Sequence, residues 1–244
     1  MVSSLPVLRN SSRSFSISTQ SNFASLDDYL HHINDTLKNL DFKLERSHTS
    51  AIAQLKDTLT HLQVAQIKRT AIAQGIWDFY PTPQNVIDKM LDLAQLYPHH
   101  CILEPSAGSG DLASAIAKLG VSKIDCFELH PLLQKALILQ GFNVLGNDFL
   151  KSQPQPIYDR VLANPPFSSN GVNRHTRQAF KFLKPGGKLI TLAHHYQLKP
   201  SPGDRAFFAW LQHNNARFLN CGQAFAYSDR KTNVPLQIIV IDKL

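Results

Sequence analysis

The stretch LEPSAGSGDLA, Leu103 to Ala113, passes from an apolar run through a turn holding Gly108 and Gly110 directly into helix-forming residues. Glycine lets such a turn take positive φ and lets its backbone approach a ligand closely. Dinucleotide-binding turns favour GxGxxG, with backbone amides facing a pyrophosphate. Here Asp111 follows Gly110, and Ala113 stands where the third glycine would be. Glu104, just before the turn, suits a ligand bearing an ammonium group better than one bearing phosphates. A turn that is merely tight would carry the same glycines.

Outward from this turn, short apolar runs alternate with helical segments. Strands are expected at His100–Glu104, Lys123–Glu128, Phe142–Leu145, Arg160–Ala163, Lys188–Ala193, Arg217–Asn220 and Leu236–Ile241. Helices are expected at Pro83–Leu96, Leu112–Leu119, Pro131–Gln140, Asn173–Leu183 and Asp204–Gln212. This alternation predicts an α/β fold, a Rossmann-like seven-stranded, mostly parallel sheet with helices on both faces. In such sheets ligands sit beyond the carboxyl ends of the strands.

Three further strand ends carry polar residues. Glu128 lies 24 residues after Glu104, where an acidic side chain accepts from ribose hydroxyls in nucleoside-binding α/β folds. After the third strand, GNDFL offers Asp148 to accept from an adenine amino group and Phe149 to lie against a ring face. Asp148 as a turn cap and Phe149 as a core residue is the alternative. The fourth strand ends in YDRVLANPPFSSNG, Tyr158 to Gly171. Pro165 and Pro166 fix φ and remove two backbone donors, so the corner presents carbonyls in a rigid frame. Asn164 adds a side-chain acceptor, and Phe167 is placed to stack on a ring. Two acceptors converging on one planar amino group would bind its hydrogens and leave its lone pair pointing outward.

Together these landmarks resemble class I S-adenosylmethionine-dependent methyltransferases of the adenine-N6 type, over residues 78–244. The resemblance implies S-adenosylmethionine as cofactor and methyl transfer to an exocyclic amino nitrogen, with adenine N6 in DNA favoured. DFYPTP, Asp78 to Pro83, is similar to the segment that helps hold the methionine end, which makes Tyr80, Thr82 and Pro83 expected contacts. EPSAGSGD is similar to the cofactor loop, with Glu104, Ser106, Gly108 and Gly110. Glu128 resembles the ribose ligand, Asp148 with Phe149 the adenine site, and Asn164-Pro165-Pro166-Phe167 the catalytic tetrapeptide. FLKPGGKLITL, Phe182 to Leu192, resembles the helix-turn-strand that follows it. The same corner also serves enzymes that methylate glutamine amides in proteins or amino groups of RNA bases. An inactive, cofactor-binding interaction subunit is the reading from another class.

Arg174, Arg177, Lys181 and Lys184 step by three, four and three, placing cations along one expected helix face as candidate phosphate contacts. Arg230 and Lys231 would extend that stripe, whereas His194 and His195 read as structural. Ser168 to Gly171 would close over the substrate. The formal net charge of +7 permits a polyanionic partner. Nothing between Phe167 and the next strand has the size of a target-recognition region, so sequence specificity is not expected from this chain alone.

Residues 1–25 contain nine serines, Arg9 and Arg13 and no acidic residue, which suits a disordered tail or a transit peptide. Residues 26–75 form a separate helical hairpin or coiled-coil extension by pattern. Leu26, Leu30, Ile33, Leu37, Leu40 and Leu44 make a heptad-like seam, resumed at Ile52, Leu55, Leu59 and Leu62 after a polar break at Ser47–Ser50. That seam would pack on the main domain, residues 76–244, or pair with a protein partner or a second copy. Cys101, Cys126 and Cys221 lack metal-ligand spacing and read as buried thiols of a reducing, cytoplasmic compartment. No metal site and no membrane span is expected.

Overall fold

A computed structural model of the protein describes residues 46–195 and 202–244, with side chains described from Ile52 onward and, after the second break, from Asp204. The expectations for residues 1–45 lie outside the described residues. The chain divides into two compact units, 1–59 and 60–244, so residues 60–75 group with the sheet. Helix α1, Arg46–Ala73, runs unbroken through the expected polar break at Ser47–Ser50. Its carboxyl end is anchored in the second unit, where Ala71 packs with Phe79 and Leu133.

In the second unit seven strands form one sheet. They are β1 (Cys101–Glu104), β2 (Lys123–Phe127), β3 (Asn143–Gly146), β4 (Tyr158–Ala163), β5 (Leu183–His194), β6 (Arg217–Gly222) and β7 (Leu236–Asp242). Their order is β3-β2-β1-β4-β5-β7-β6. Strands β1 to β5 are parallel, and β7 runs antiparallel between β5 and β6. The order reverses between β1 and β4, which opens a crevice at the carboxyl ends of those two strands.

The central strands read as continuous apolar runs because both faces are covered. Side chains alternate between two cores, as period-two geometry requires. Ile102, Leu162, Ile190 and Val240 enter one core, with helices α2 (Gln84–Ala94), α3 (Asp111–Ala117) and α4 (Pro131–Leu139). Leu103, Val161, Leu189 and Ile241 enter the other, with α5 (Gly171–Phe182) and α6 (Pro202–His213).

The largest boundary difference is at β5, which starts five residues before Lys188. Tyr158 pairs with Leu183 and Arg160 with Lys188, so the Lys184–Gly187 segment bulges out of the ladder. The bulge is tied to the chain's end, Gly186 N donating to Lys243 O at 2.7 Å. Its Lys-Pro-Gly-Gly composition hides the pairing from a pattern reading. Of the three cysteines only Cys126 is buried, and burial pushes its thiol pKa up; Cys101 and Cys221 are half-buried, against expectation. Among the described residues no helix is long and apolar enough to cross a membrane.

Candidate active site

The carboxyl ends of β1, β2, β3 and β4 converge on one cleft of about 500 Å³. That is within the usual range for small-molecule sites, ~300–1,000 Å³. Its wall is built first from the glycine turn. Gly108 and Gly110 take φ of 55° and 86°, in the left-handed region where a side chain would be strained. A Cβ on Gly108 would sit 3.1 Å from the Phe79 ring, so glycine also permits close packing there. The turn is fastened to its neighbours: Ala107 N donates to Phe127 O at 2.9 Å, and Gly108 N donates to Glu128 Oε2 at 2.8 Å. Gln140, the residue that caps the carboxyl end of α4, completes the frame, donating to Ser109 O and accepting from Ser114 Oγ.

Five carboxylates line this cleft, Asp78, Glu104, Asp111, Glu128 and Asp148, and the three that follow strand ends differ in their surroundings. Glu104 is 2% exposed and its Oε2 has no partner. Burial, with Asp111 close by, pushes its pKa well above the ordinary carboxylate value, against the pull of the Ala113 backbone N–H. Glu128 accepts from Gly108 N and, through Oε1, from His130 N at 2.8 Å; burial still raises its pKa. Asp148 caps the short 3-10 turn Phe149–Lys151 by accepting from Leu150 N. Its pKa is lowered chiefly by Lys151, 3.1 Å away. Phe149 is packed among Phe127, Phe182 and His175 while lining the cleft. Asp111 accepts from Ser109 Oγ and pairs with Lys68 of α1 at 2.8 Å, and Lys68 also reaches Asp229 at 3.0 Å.

The other wall is the corner after β4. Asn164 donates its side-chain amide to Tyr80 O at 2.9 Å and to Thr82 Oγ1 at 3.1 Å. Its Oδ1 is buried and has no partner. An unpaired carbonyl oxygen of this kind carries a desolvation cost of ~1–3 kcal/mol, which an incoming N–H donor would remove. Pro166 lines the cleft beside Asn164. Its carbonyl lies so close to Gly171, the first residue of α5, that a Cβ there would collide with it.

Glu104, Ser106, Gly108, Glu128, Asp148, Phe149, Asn164 and Pro166 thus line one cleft with Tyr80, Thr82 and Arg174. Pro83 is instead the residue preceding α2, Gly110 lies just behind the turn, and Pro165 is buried. Phe167 does not line the cleft. It is half-buried, its ring meeting His194 edge-on at 4.7 Å between centroids and packing against both cores. The expected cationic stripe is also broken up. Arg177 donates to Asn173 Oδ1 and Ala206 O and lies 5.0 Å over the Trp210 ring. Lys184 pairs with Asp159, and Lys181 is exposed away from the cleft. Arg230 donates to Ile76 O at 2.5 Å and Phe79 O at 2.8 Å, and covers the Tyr80 ring at 4.5 Å.

Sequence reasoning did not single out Trp77, and it placed Asp78 and Ser168 only as members of DFYPTP and of the Ser168–Gly171 loop, not as partners of each other. The carboxylate of Asp78 accepts from the Ser168 N–H at 3.2 Å and from its hydroxyl, while Trp77 Nε1 donates to Ser168 Oγ at 2.9 Å. Asp78 takes φ of 55°, unusual outside glycine. For Trp77 the advance signal was an aromatic directly before DFYPTP. Among the described residues no cluster of three or more His, Cys, Asp or Glu is placed to hold a metal.

Sheet order and cleft together define the class I methyltransferase fold. No protein-family model matches the chain. In sequence it is similar to the type II methyltransferase M.HincII of Haemophilus influenzae, 29% identical over 86 residues, covering 35% of this chain and 16% of that protein. It is also similar to a Methanosarcina barkeri protein described as ribosomal RNA small subunit methyltransferase A. That match is 28% identical over 137 residues, 54% of this chain and 45% of the relative. The chain therefore spans less than half the length of these relatives. Among solved structures, a chain described as a type I restriction-enzyme modification subunit from Vibrio vulnificus YJ016 superposes with a TM-score of 0.59. It is 15% identical, covering 77% of this chain and 49% of that one. The [4+2]-cyclase SpnF superposes with a TM-score of 0.53 at 14% identity, over 68% of this chain and 86% of that one. The likeness to solved structures establishes the fold, and the chemistry has to be argued from the residues.

Proposed function

We propose that this protein binds S-adenosylmethionine in the cleft and methylates an exocyclic amino nitrogen, adenine N6 in DNA being the favoured acceptor. The observation that carries the reading is the unpartnered Asn164 Oδ1, held beside the cleft by an amide whose two hydrogens are already committed to Tyr80 and Thr82. The cleft fits the cofactor on its own chemistry. Glu104 offers an unpaired buried carboxylate oxygen, a complement for an ammonium group, next to the glycine turn. Glu128 keeps lone pairs for ribose hydroxyls beyond those used by Gly108 and His130, and Asp148 with Phe149 suits an adenine amino group and ring.

When bound, S-adenosylmethionine supplies a methyl group on a cationic sulfur. The chain's own contribution is orientation. Asn164 Oδ1 and a backbone carbonyl of the proline pair accept the two hydrogens of the acceptor amino group, which holds the nitrogen with its lone pair aimed out of the corner. No general base is needed before transfer, because the acceptor nitrogen sheds its proton after it has become cationic. A base inside a duplex cannot reach this corner, so the acceptor must be unpaired or extruded.

RNA is the second reading, favoured by one observation: the match to the Methanosarcina protein covers 54% of this chain, against 35% for the Haemophilus enzyme. Incubation with tritium-labelled cofactor and separate DNA, RNA and protein fractions tests both. Label on N6-methyladenine in DNA supports the favoured reading and label in RNA alone supports the second. Label only in protein, or full activity of Asn164→Ala, overturns it.

A further inference from the structure

Trp77 lines the cleft mouth while 80% exposed. Its ring is nonetheless fixed: Nε1 donates to Ser168 Oγ at 2.9 Å, and Ser168 is itself held by the Asp78 carboxylate. Ser168 is the residue directly after the Asn164–Phe167 corner, so one hydrogen bond separates the indole from the segment expected to grip the acceptor. The indole N–H is committed, and what Trp77 offers to a ligand is its face. Phe167 does not provide this surface, being packed against His194. Arg174 is exposed and lines the same cleft, so the lining holds a cation as well as the aromatic. An aromatic face next to a cation is the pairing by which proteins hold single-stranded nucleic acid.

We propose that Trp77 is the stacking platform for a nucleobase of the substrate strand. This deepens the reading above, on which it rests for the presence of an acceptor base. It makes the substrate an unpaired stretch of nucleic acid and leaves a peptide glutamine without a use for the platform. Since every base has a π-face, Trp77 contributes affinity and placement with little sequence discrimination.

The test uses the full chain with a single-stranded, adenine-containing oligodeoxynucleotide, its fully paired duplex and heparin as a base-free polyanion. The protein has two tryptophans, Trp77 and Trp210, so quenching can be assigned by substitution. The oligonucleotide is expected to quench wild-type tryptophan fluorescence, with the quenching lost in Trp77→Phe. Trp77→Leu should raise the oligonucleotide Kd by roughly 5- to 100-fold, from the usual strength of base–aromatic stacking. Trp77→Phe should stay within about threefold, since phenylalanine still stacks. Heparin affinity and the thermal midpoint should be the same in all three proteins. A Trp77→Leu protein that binds the oligonucleotide as tightly as wild type overturns the proposal, as does quenching that survives in Trp77→Phe or a wild type that does not bind the strand. Wild-type methylation that Trp77→Leu leaves untouched sinks the platform alone. Strand binding through Trp77 without methyl transfer sinks the functional reading and leaves the platform standing.

Discussion

Asn164 donates to the carbonyl oxygen of Tyr80 at 2.9 Å, across 84 residues of sequence. That bond joins the end of β4 to the DFYPTP segment ahead of α2, and Thr82 Oγ1 takes the second hydrogen. The amide orientation is thereby assigned: with both hydrogens spent, the oxygen is left as the acceptor. Flipping the amide would set oxygen against oxygen at Tyr80.

Asn164→Ala removes the acceptor and should lower kcat by about 100-fold or more, the scale on which misplaced reacting groups cost rate. Cofactor affinity by calorimetry should change little. Asn164→Asp should be as inactive, because a carboxylate cannot donate to Tyr80 O. Activity in Asn164→Asp near that of wild type would show that the amide's fixed orientation is irrelevant.

Glu104 gives a pH signature. Its folded-state pKa lies well above the ordinary value because of burial. The stability it contributes is therefore fully present below the unfolded pKa, ~4.3, and is lost as pH rises through the raised folded value. Without cofactor, wild type should lose urea resistance relative to Glu104→Gln as pH rises through that window. Cofactor affinity should move the other way, rising with pH in wild type as the ion forms and staying flat and about tenfold or more weaker in Glu104→Gln. Parallel stability curves for the two proteins would count against a buried, raised carboxylate.

The central strands are legible in the sequence because strands covered on both faces are continuous apolar runs, as in Val161-Leu162-Ala163. The exposed edge strands β3 and β6 are legible only from their place in the strand-helix alternation. The glycine turn and the polar strand ends are legible too, since each is a local pattern. What one dimension hides is which partner a long side chain finds. Arg230 reads as a free cation, yet its partner Ile76 is 154 residues away. Arg177 reads as part of a stripe until α6 brings Trp210 beneath it. Trp77 carries no pattern of its own, and the Ser168 hydroxyl that its indole N–H finds is 91 residues on. Phe167 ends a motif that is plain in one dimension, but that its ring packs against both cores is not.

Arg230 clamps the strap that carries Tyr80. It donates to Ile76 O and Phe79 O and stacks over the Tyr80 ring, with Phe225 meeting that ring from the side. Arg230→Met should cost roughly 1.5–3 kcal/mol, the range for hydrogen bonds to a charged group, and should speed hydrogen exchange at residues 76–82. Arg230→Lys should not restore the wild-type value, because a point charge cannot reproduce the planar fork and the stack together. Unchanged exchange in Arg230→Met would show that the strap holds without it.

Gly171 and Gly186 separate two reasons for a glycine. Gly186 takes φ of 76° with nothing within 4 Å of a Cβ, so alanine there meets only backbone strain, about 1 kcal/mol. At Gly171 the added Cβ would run into the Pro166 carbonyl, a backbone group that cannot rotate aside. Gly171→Ala must therefore push α5 and the Asn164–Phe167 corner apart, a small-to-large change of the kind that costs ~1–3 kcal/mol. The displaced group is Pro166, next to Asn164, so kcat should fall by about tenfold or more while Gly186→Ala retains wild-type turnover. Urea midpoints and single-turnover rates on the same two variants check this. Equal rates would mean that the corner tolerates movement, and that orientation by a rigid frame is not how the site works.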